Sequence, residues 1–399
     1  MTGTFPDELR PRPLEVACGL VLSGGPEGPK LARSTAAPRA AIDDAIRRAL
    51  LRPPCLVSFS GGRDSSAILA AAVALARREG LAPPIPATHR FPAVATSHED
   101  AWQEDVVRHL GLIDWERITV TDELDTVGPV AQSVLLRHGV VWPFNAHLHV
   151  PLFERAAGGS LLTGVGGDEL FGPQRWRAAQ ALLAGHIRRR PRHLRTVALA
   201  LAPAPIRREV LARRHELRWP WLHPHVDVLV NRRRAERGAH TPRRWDAATG
   251  WWWQSRTRSV LSQTLGLLGA DADAQVVQPF LEPTVLAAAA SHFGARGPAD
   301  RTAAMRAVFG DVLPEAVLAR RSKATFDAAF FAGHSRAFAA AWTGGGVDPA
   351  LVERERLARV WNDGAPDPRS FSLMQGAWLA GNREIDQRSS DDAGRAARQ

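Results

Sequence analysis

Two short stretches carry the residue types from which phosphate chemistry is built. Ser60-Gly61-Gly62-Arg63-Asp64-Ser65-Ser66 follows the apolar run Cys55–Phe59 and opens an Ala-rich helical pattern. The paired glycines allow a sharp turn that brings backbone N–H groups close to an anion, and the following helix offers its positive end. The serines add hydroxyl donors, and Asp64 suits a divalent cation that neutralises phosphate. The second stretch, Leu161-Leu162-Thr163-Gly164-Val165-Gly166-Gly167-Asp168-Glu169-Leu170-Phe171-Gly172, repeats the pattern of apolar run, glycine turn and acid. If both loops end strands of one sheet, Asp64 and Asp168 clamp one metal–triphosphate between them. No Gly-Lys-Ser/Thr occurs, so these glycines do not form a Walker A loop for γ-phosphoryl transfer. Plainer readings use the same residues: a tight turn with Ser65 as helix cap, and Asp168-Glu169 as a dipole-favoured helix start.

Such loops need strands that end where the glycines begin. Strand-like runs at Cys55–Phe59, Pro86–Phe91, Trp115–Val120 and Ser160–Gly164 alternate with helical patterns at Ser65–Glu79, Glu99–Leu110, Asp122–His138 and Phe144–Ala156. This alternation predicts an α/β fold with a parallel twisted sheet covered on both faces and ligands at the carboxyl ends of the strands. Beyond Pro173 the strand signal fades and the chain reads as mostly helical. The expected organisation is a small N-terminal cap (1–50) with a helix over Pro38–Leu51, an α/β nucleotide-binding domain (51–175), a mainly helical region completing the site (176–387) and a disordered polar tail (388–399).

At 399 residues and 45% hydrophobic content, the chain can bury a sizeable core. Its longest apolar stretch, Thr196–Ile206, contains prolines and falls short of the roughly 20 residues of a membrane span. The N-terminus lacks a secretory pattern, and Cys18 and Cys55 are too few for a disulfide framework, so a cytoplasmic setting is expected. The formal charge of +10 suits acidic partners or substrates. Basic runs such as Arg207-Arg208, Arg213-Arg214 and Asn231-Arg232-Arg233-Arg234 fit an acidic peptide, RNA or a solvated face. Almost every basic residue is arginine; lysine occurs only at Lys30 and Lys323, and tyrosine is absent.

The first stretch resembles the pyrophosphate loop of the N-type ATP pyrophosphatases, and Thr163–Gly172 is similar to the second nucleotide motif of their asparagine synthetase branch. Gln278-Pro279-Phe280-Leu281-Glu282 resembles that family's Pro-Phe-Leu-Asp segment, and Arg301 through Met305-Arg306, Leu313-Pro314 and Arg320-Arg321-Ser322-Lys323 resemble its closing helices with their Arg-x-Lys motif. The resemblance spans Pro38 to Trp378. It implies binding of ATP and Mg²⁺, attack of a substrate carboxylate on the α-phosphorus, release of pyrophosphate, and transfer of the acyl group to an amine or ammonia. Carried over by position, Ser58, Ser60, Gly61, Gly62, Asp64, Ser65, Ser66, Arg90, Gly164, Val165, Gly166 and Gly167 would hold the nucleotide. Asp64 and Asp168 would hold the metal, Lys323 would reach the leaving pyrophosphate, and Glu282 stands as a candidate base or a salt-bridge partner. Glu99-Asp100 falls where the family often has an acid near the nucleotide, though a helix start explains it equally.

Departures narrow the chemistry. The roughly fifty residues before the loop are too few for a glutaminase domain of at least about 100 residues, and Thr2 stands where such a domain has its cysteine. Val165 stands where asparagine synthetase has glutamate and β-lactam synthetase tyrosine. The expectation is an amide-forming ligase acting on a peptide precursor, as in lasso-type macrolactam closure, or on a specialised metabolite. Asparagine synthesis from aspartate with ammonia is the alternative, and RNA modification a further one that the second motif disfavours. A partner amidase or leader-binding protein fits this reading; nucleic acid and membrane do not.

In a chain that uses arginine almost everywhere, Lys323 suggests a need for a compact ammonium beside phosphate. Lys323→Arg is expected to lower kcat and kcat/KM by similar factors with KM for ATP little changed. Lys323→Ala is expected to lose about a hundredfold in rate, the cost of one preorganised donor. Steady-state kinetics with thermal melts on both variants checks this, and wild-type turnover in Lys323→Arg would remove Lys323 from the reaction.

Overall fold

Alternate residues of the strands point into two different cores. In β1 (Cys55–Ser58), Cys55 and Val57 pack on one side of the sheet and Leu56 on the other; in β4 (Ser160–Leu162), Leu162 and Leu161 divide in the same way. Strands buried on both faces read as continuous apolar runs, which is why they were visible in the sequence. One face is covered by helices Pro38–Leu50, Arg63–Glu79, Pro283–Phe293 and Arg301–Phe309, whose buried residues include Ile42, Ile68, Val285 and Phe309. The other is covered by Leu152, Phe153, Leu265 and Leu268.

The computed structural model describes residues 6–22, 27–97, 99–172, 174–183, 191–214, 216–320 and 326–396. Five parallel strands form one sheet in the order β3-β2-β1-β4-β5, with β2 at Ile85–Arg90, β3 at Glu116–Thr119 and β5 at Gln275–Val277. The registers Leu56↔Ile85 and Cys55↔Ser160 place β1 at the centre. The chain winds outward from β1 to β3, then crosses back to lay β4 on the free side of β1. That reversal creates a switch point at the carboxyl ends of β1 and β4, where a crevice opens in sheets of this kind. Both glycine loops follow these two strands.

Some expected boundaries shift. The helix expected over Asp122–His138 begins only at Pro129, whose fixed φ suits a first helical position; Asp122–Gly128 is occupied by turns. Phe144–Ala156 divides into a 3-10 turn, Ala146–His149, and a short helix, Val150–Arg155. The final helix, Phe371–Ala396, runs on through most of the polar tail expected to be disordered. Extending an existing helix avoids the cost of a new nucleus. Strand β5 comes from within the stretch expected to be helical and pairs with β4, Ser160↔Gln275.

A third core gathers Trp219, Trp221, Trp361 and Phe371, and the N-terminal segment belongs to it. Trp219 and Trp221 donate their ring N–H groups to the carbonyls of Cys18 and Ala17, at 2.9 and 2.8 Å. Burial pushes the Cys18 thiol up to about 12 and the Cys55 thiol to about 11, so neither supplies a thiolate. Among the described residues, no helix is long and apolar enough to cross a membrane.

Glu15 anchors this segment. Its carboxylate accepts two bonds at 2.8 Å from Arg256 Nη1, and the N–H groups of Arg12 and Leu22 at 2.8 Å complete its shell. Both side chains are 2% exposed. Removing one member strands the other charge in the interior, so Glu15→Gln is expected to lower unfolding stability by about 3–5 kcal/mol. Urea denaturation with an unchanged m-value measures it.

Candidate active site

The first loop leaves β1 through Phe59 and Ser60, and helix Arg63–Glu79 begins at once, with Gly62 at its N-cap. Ser65 is therefore inside the first turn rather than the cap expected from sequence. It ties the loop together instead: its Oγ donates to the Gly62 carbonyl at 3.1 Å, accepts the Ser60 N–H at 3.2 Å and lies 3.2 Å from Ser60 Oγ. Two side chains hold the loop's carbonyls from outside. Gln103 Nε2 donates to Ser60 O at 3.1 Å and Arg320 Nη1 to Gly61 O at 2.8 Å. Arg320 is itself held by Glu99, at 3.0 and 2.5 Å, and both side chains are 4% exposed. Glu99 thus acts on the loop through Arg320 rather than as a lining residue.

The second loop touches the first. Gly166 has φ +95°, a conformation costly for other residues, and a side chain there would run into Leu281, so the 278–282 segment supports this loop. A Cβ on Gly167 would lie 2.3 Å from Asp64 Cγ, so only glycine admits the Asp64 carboxylate. The two acids converge on one cation from a third element. Arg301, first residue of helix Arg301–Phe309, donates through Nη2 to Asp64 Oδ1 and Oδ2 at 2.7 and 2.6 Å, and through Nη1 to Asp168 Oδ1. Burial alone would lower the Arg301 guanidinium, but Asp64 and Asp168 outweigh it and raise it. Arg63 is lowered by burial and by Arg301.

A cavity of about 330 Å³ lies between the loops, lined by Ser58, Ser60, Gly62, Arg63, Asp64, Ser65, Thr163, Gly164, Val165, Asp168 and Arg301. Gly61, Ser66, Gly166 and Gly167 shape the loops without lining it. Arg90 turns away to Asp100, at 3.2 Å, with its guanidinium 5.5 Å from the Trp115 ring. Glu282 pairs with Arg48 at 2.7 Å, the salt bridge of the two readings considered for it. Lys323 lies outside the described residues. Arg63, Thr163 and Arg301 were not assigned from sequence. Arg301 had one local signal: a cation at the first helical position opposes the helix dipole, so something else must hold it there.

An adjoining cavity of about 440 Å³ shares Ser58 and Ser60 and is walled by Phe59, Phe91, Leu148, Phe326 and Phe330, with His89, Gln103, Asn145 and Asp327 as polar points. Burial lowers His89 to about 3, keeping its ring neutral, and its buried Nε2 has no hydrogen-bond partner among the described residues. Among those residues no group of three or more His, Cys, Asp or Glu could hold a metal ion. The two carboxylates fit a Mg²⁺ whose other ligands are phosphate oxygens and water, the usual manner of that ion.

Gly167→Ala would push the Asp64 carboxylate out of line with Asp168. Magnesium-dependent binding of pyrophosphate is expected to weaken at least about tenfold, following the loss of one charge-assisted contact. Isothermal titration measures it, and unchanged affinity would show that the spacing of the two carboxylates does not matter.

No curated protein is found to match the chain. The family model described as asparagine synthase matches residues 37–380, which includes both glycine loops, β5, the Arg301 helix and Arg320. The chain belongs to the asparagine synthase family, whose members are ATP-dependent amide ligases.

Proposed function

We propose that the protein activates a carboxylate as its adenylate and passes the acyl group to an amine. A carboxylate oxygen attacks the α-phosphorus of ATP, the bond from that phosphorus to the bridging oxygen breaks, and pyrophosphate leaves with the electron pair. The amine then attacks the acyl carbon, AMP departs, and the amine's proton passes to solvent. The observation that carries this reading is the convergence of Asp64 and Asp168 on Arg301 within a glycine-walled cavity. Triphosphate is the substrate group that needs carboxylates, through a metal, and guanidinium in one place.

In this reading Ser60, Gly62 and Ser65 present donors to the phosphates, and Asp64 and Asp168 hold Mg²⁺. The ion supplies neutralisation of the charge that builds on the leaving pyrophosphate. Arg63 and Arg301 add fixed cations, and the family resemblance assigns Lys323 to the leaving pyrophosphate. The aromatic-walled cavity that shares Ser58 and Ser60 suits the uncharged, flat part of the nucleotide. Val165 on the lining offers neither charge nor hydrogen bond to an acceptor amine. That supports an amine carried on a larger substrate, as in lactam closure of a peptide or amidation of a specialised metabolite, over asparagine formation from ammonia.

Phosphorus NMR of the carboxylate-dependent reaction is the test. AMP and pyrophosphate are expected in equal amounts, and ADP with phosphate would overturn the reading.

A further inference from the structure

A third cavity, of about 340 Å³, gathers four arginines: Arg175, Arg233, Arg234 and Arg237, with Trp142 and Leu217 among its apolar walls. No acidic side chain lines it. Among the described residues Arg233, Arg234 and Arg237 form no ion pair, and Arg175 reaches Glu216 only at 4.0 Å. Their hydrogen bonds go to neutral groups, Arg237 to Thr257 Oγ1 at 3.0 Å and Arg234 to Asn231 Oδ1 at 3.5 Å. Burial lowers both guanidinium groups and Arg175 lowers them further, while from outside the lining Glu216 raises Arg234 and Glu27 raises Arg237.

Arg234 and Arg237 are half-buried and lie over the rings of Trp219 and Trp251, at 5.7 and 5.4 Å, while Arg175 and Arg233 are exposed at the mouth; four like charges around one cavity with a single carboxylate at its edge favour an anion between them. A glycine completes the cluster. Gly238 lies inside helix Pro224–His240, where glycine costs about 1 kcal/mol relative to alanine, and a Cβ there would fall 2.9 Å from Arg175 Cζ. The helix leaves out a side chain where the Arg175 guanidinium packs against it, beside Arg234 and Arg237.

We propose that this cavity is a binding site for an oxyanion, a carboxylate or phosphate head carried on an apolar body. The guanidinium forks fit the head and Trp142 and Leu217 fit the body. The site involves none of Asp64, Asp168 and Arg301, so it stands or falls independently of the proposed reaction. A free small acid and an acidic side chain within a peptide offer the same group.

Isothermal titration of the whole chain with phenylacetate, phenyl phosphate and the neutral isostere phenylacetamide tests it. Both anions are expected to bind, with the amide at least about tenfold weaker, as loss of a charged hydrogen-bond partner requires. A tetrapeptide with blocked ends and an internal glutamate beside phenylalanine separates the sources: its binding assigns a peptide-borne acid, and binding of phenylacetate alone assigns a free one. Arg237→Gln is expected to weaken anion binding about tenfold or more while leaving the melting temperature unchanged or raised, because it removes a half-buried cation that pairs with no carboxylate among the described residues and leaves an amide able to keep the bond to Thr257. Arg234→Gln provides the same readout where the first variant is lost to misfolding. Equal affinity for phenylacetate and phenylacetamide would overturn the proposal. So would wild-type anion affinity in both variants, or a fall of several degrees in melting temperature in both, which would make the arginines structural.

Discussion

Two ionised carboxylates in one cavity repel each other unless a cation lies between them, and much of this fold brings Asp64, Asp168 and Arg301 to one point. The sheet order sets the first two: β1 and β4 are neighbours, so the turns that follow them meet at the reversal of winding. Packing sets the third. Ala304, Met305, Val308 and Phe309 are buried against the same face of the sheet, fixing helix Arg301–Phe309 with its first residue at the cavity. A guanidinium there opposes the helix dipole, and the two carboxylates more than offset that cost. The triad is therefore held by tertiary structure rather than by any local preference.

The first loop is held in a complementary way. Backbone N–H groups can face an anion only if the carbonyls between them are satisfied elsewhere. Gln103 and Arg320 take the carbonyls of Ser60 and Gly61 and the Ser65 hydroxyl takes that of Gly62, so all three carbonyls of the turn are satisfied within the protein. The Glu99–Arg320 pair behind it is nearly dry, and such pairs add little stability but much geometric definition when every bond is made. Arg320 also links the closing segment to the loop, so the two sides of the cleft share one interaction.

What the sequence made legible was local. The apolar runs of β1, β2, β3 and β4, both glycine turns and the helix after Ser60 follow from residue pattern within a dozen positions. Strand β5 is only three residues long and lies inside a helical stretch, too short for a period to register. The helix before His138 was placed too early because its apolar pattern extends into turns that Pro129 ends. Within the site, the roles read from sequence belong to single loops, whereas the pairings between distant residues were not legible even where the residues themselves had been singled out. Glu99 meets Arg320 across 221 positions, and Asp64 meets Arg301 across 237. No spacing rule reaches that far; only the crossing of β4 beside β1 brings them together.

The arginine-rich composition makes one residue type readable in three electrostatic settings. Arg256 and Arg320 are buried with a carboxylate each and fix segments of backbone. Arg301 is partly buried with two carboxylates and lines the cavity between the glycine loops. Arg234 and Arg237 are withdrawn from water beside Arg175 with neutral hydrogen-bond partners. The chain-wide use of arginine in place of lysine matches the residue type at all of these positions but says nothing of the partners, since choosing arginine over lysine adds no carboxylate to one cavity and removes none from another. Composition thus explains the net charge of +10, and the fold alone explains where that charge is compensated. A native state tolerates incompletely compensated charge only where burial and packing elsewhere in the fold carry the cost.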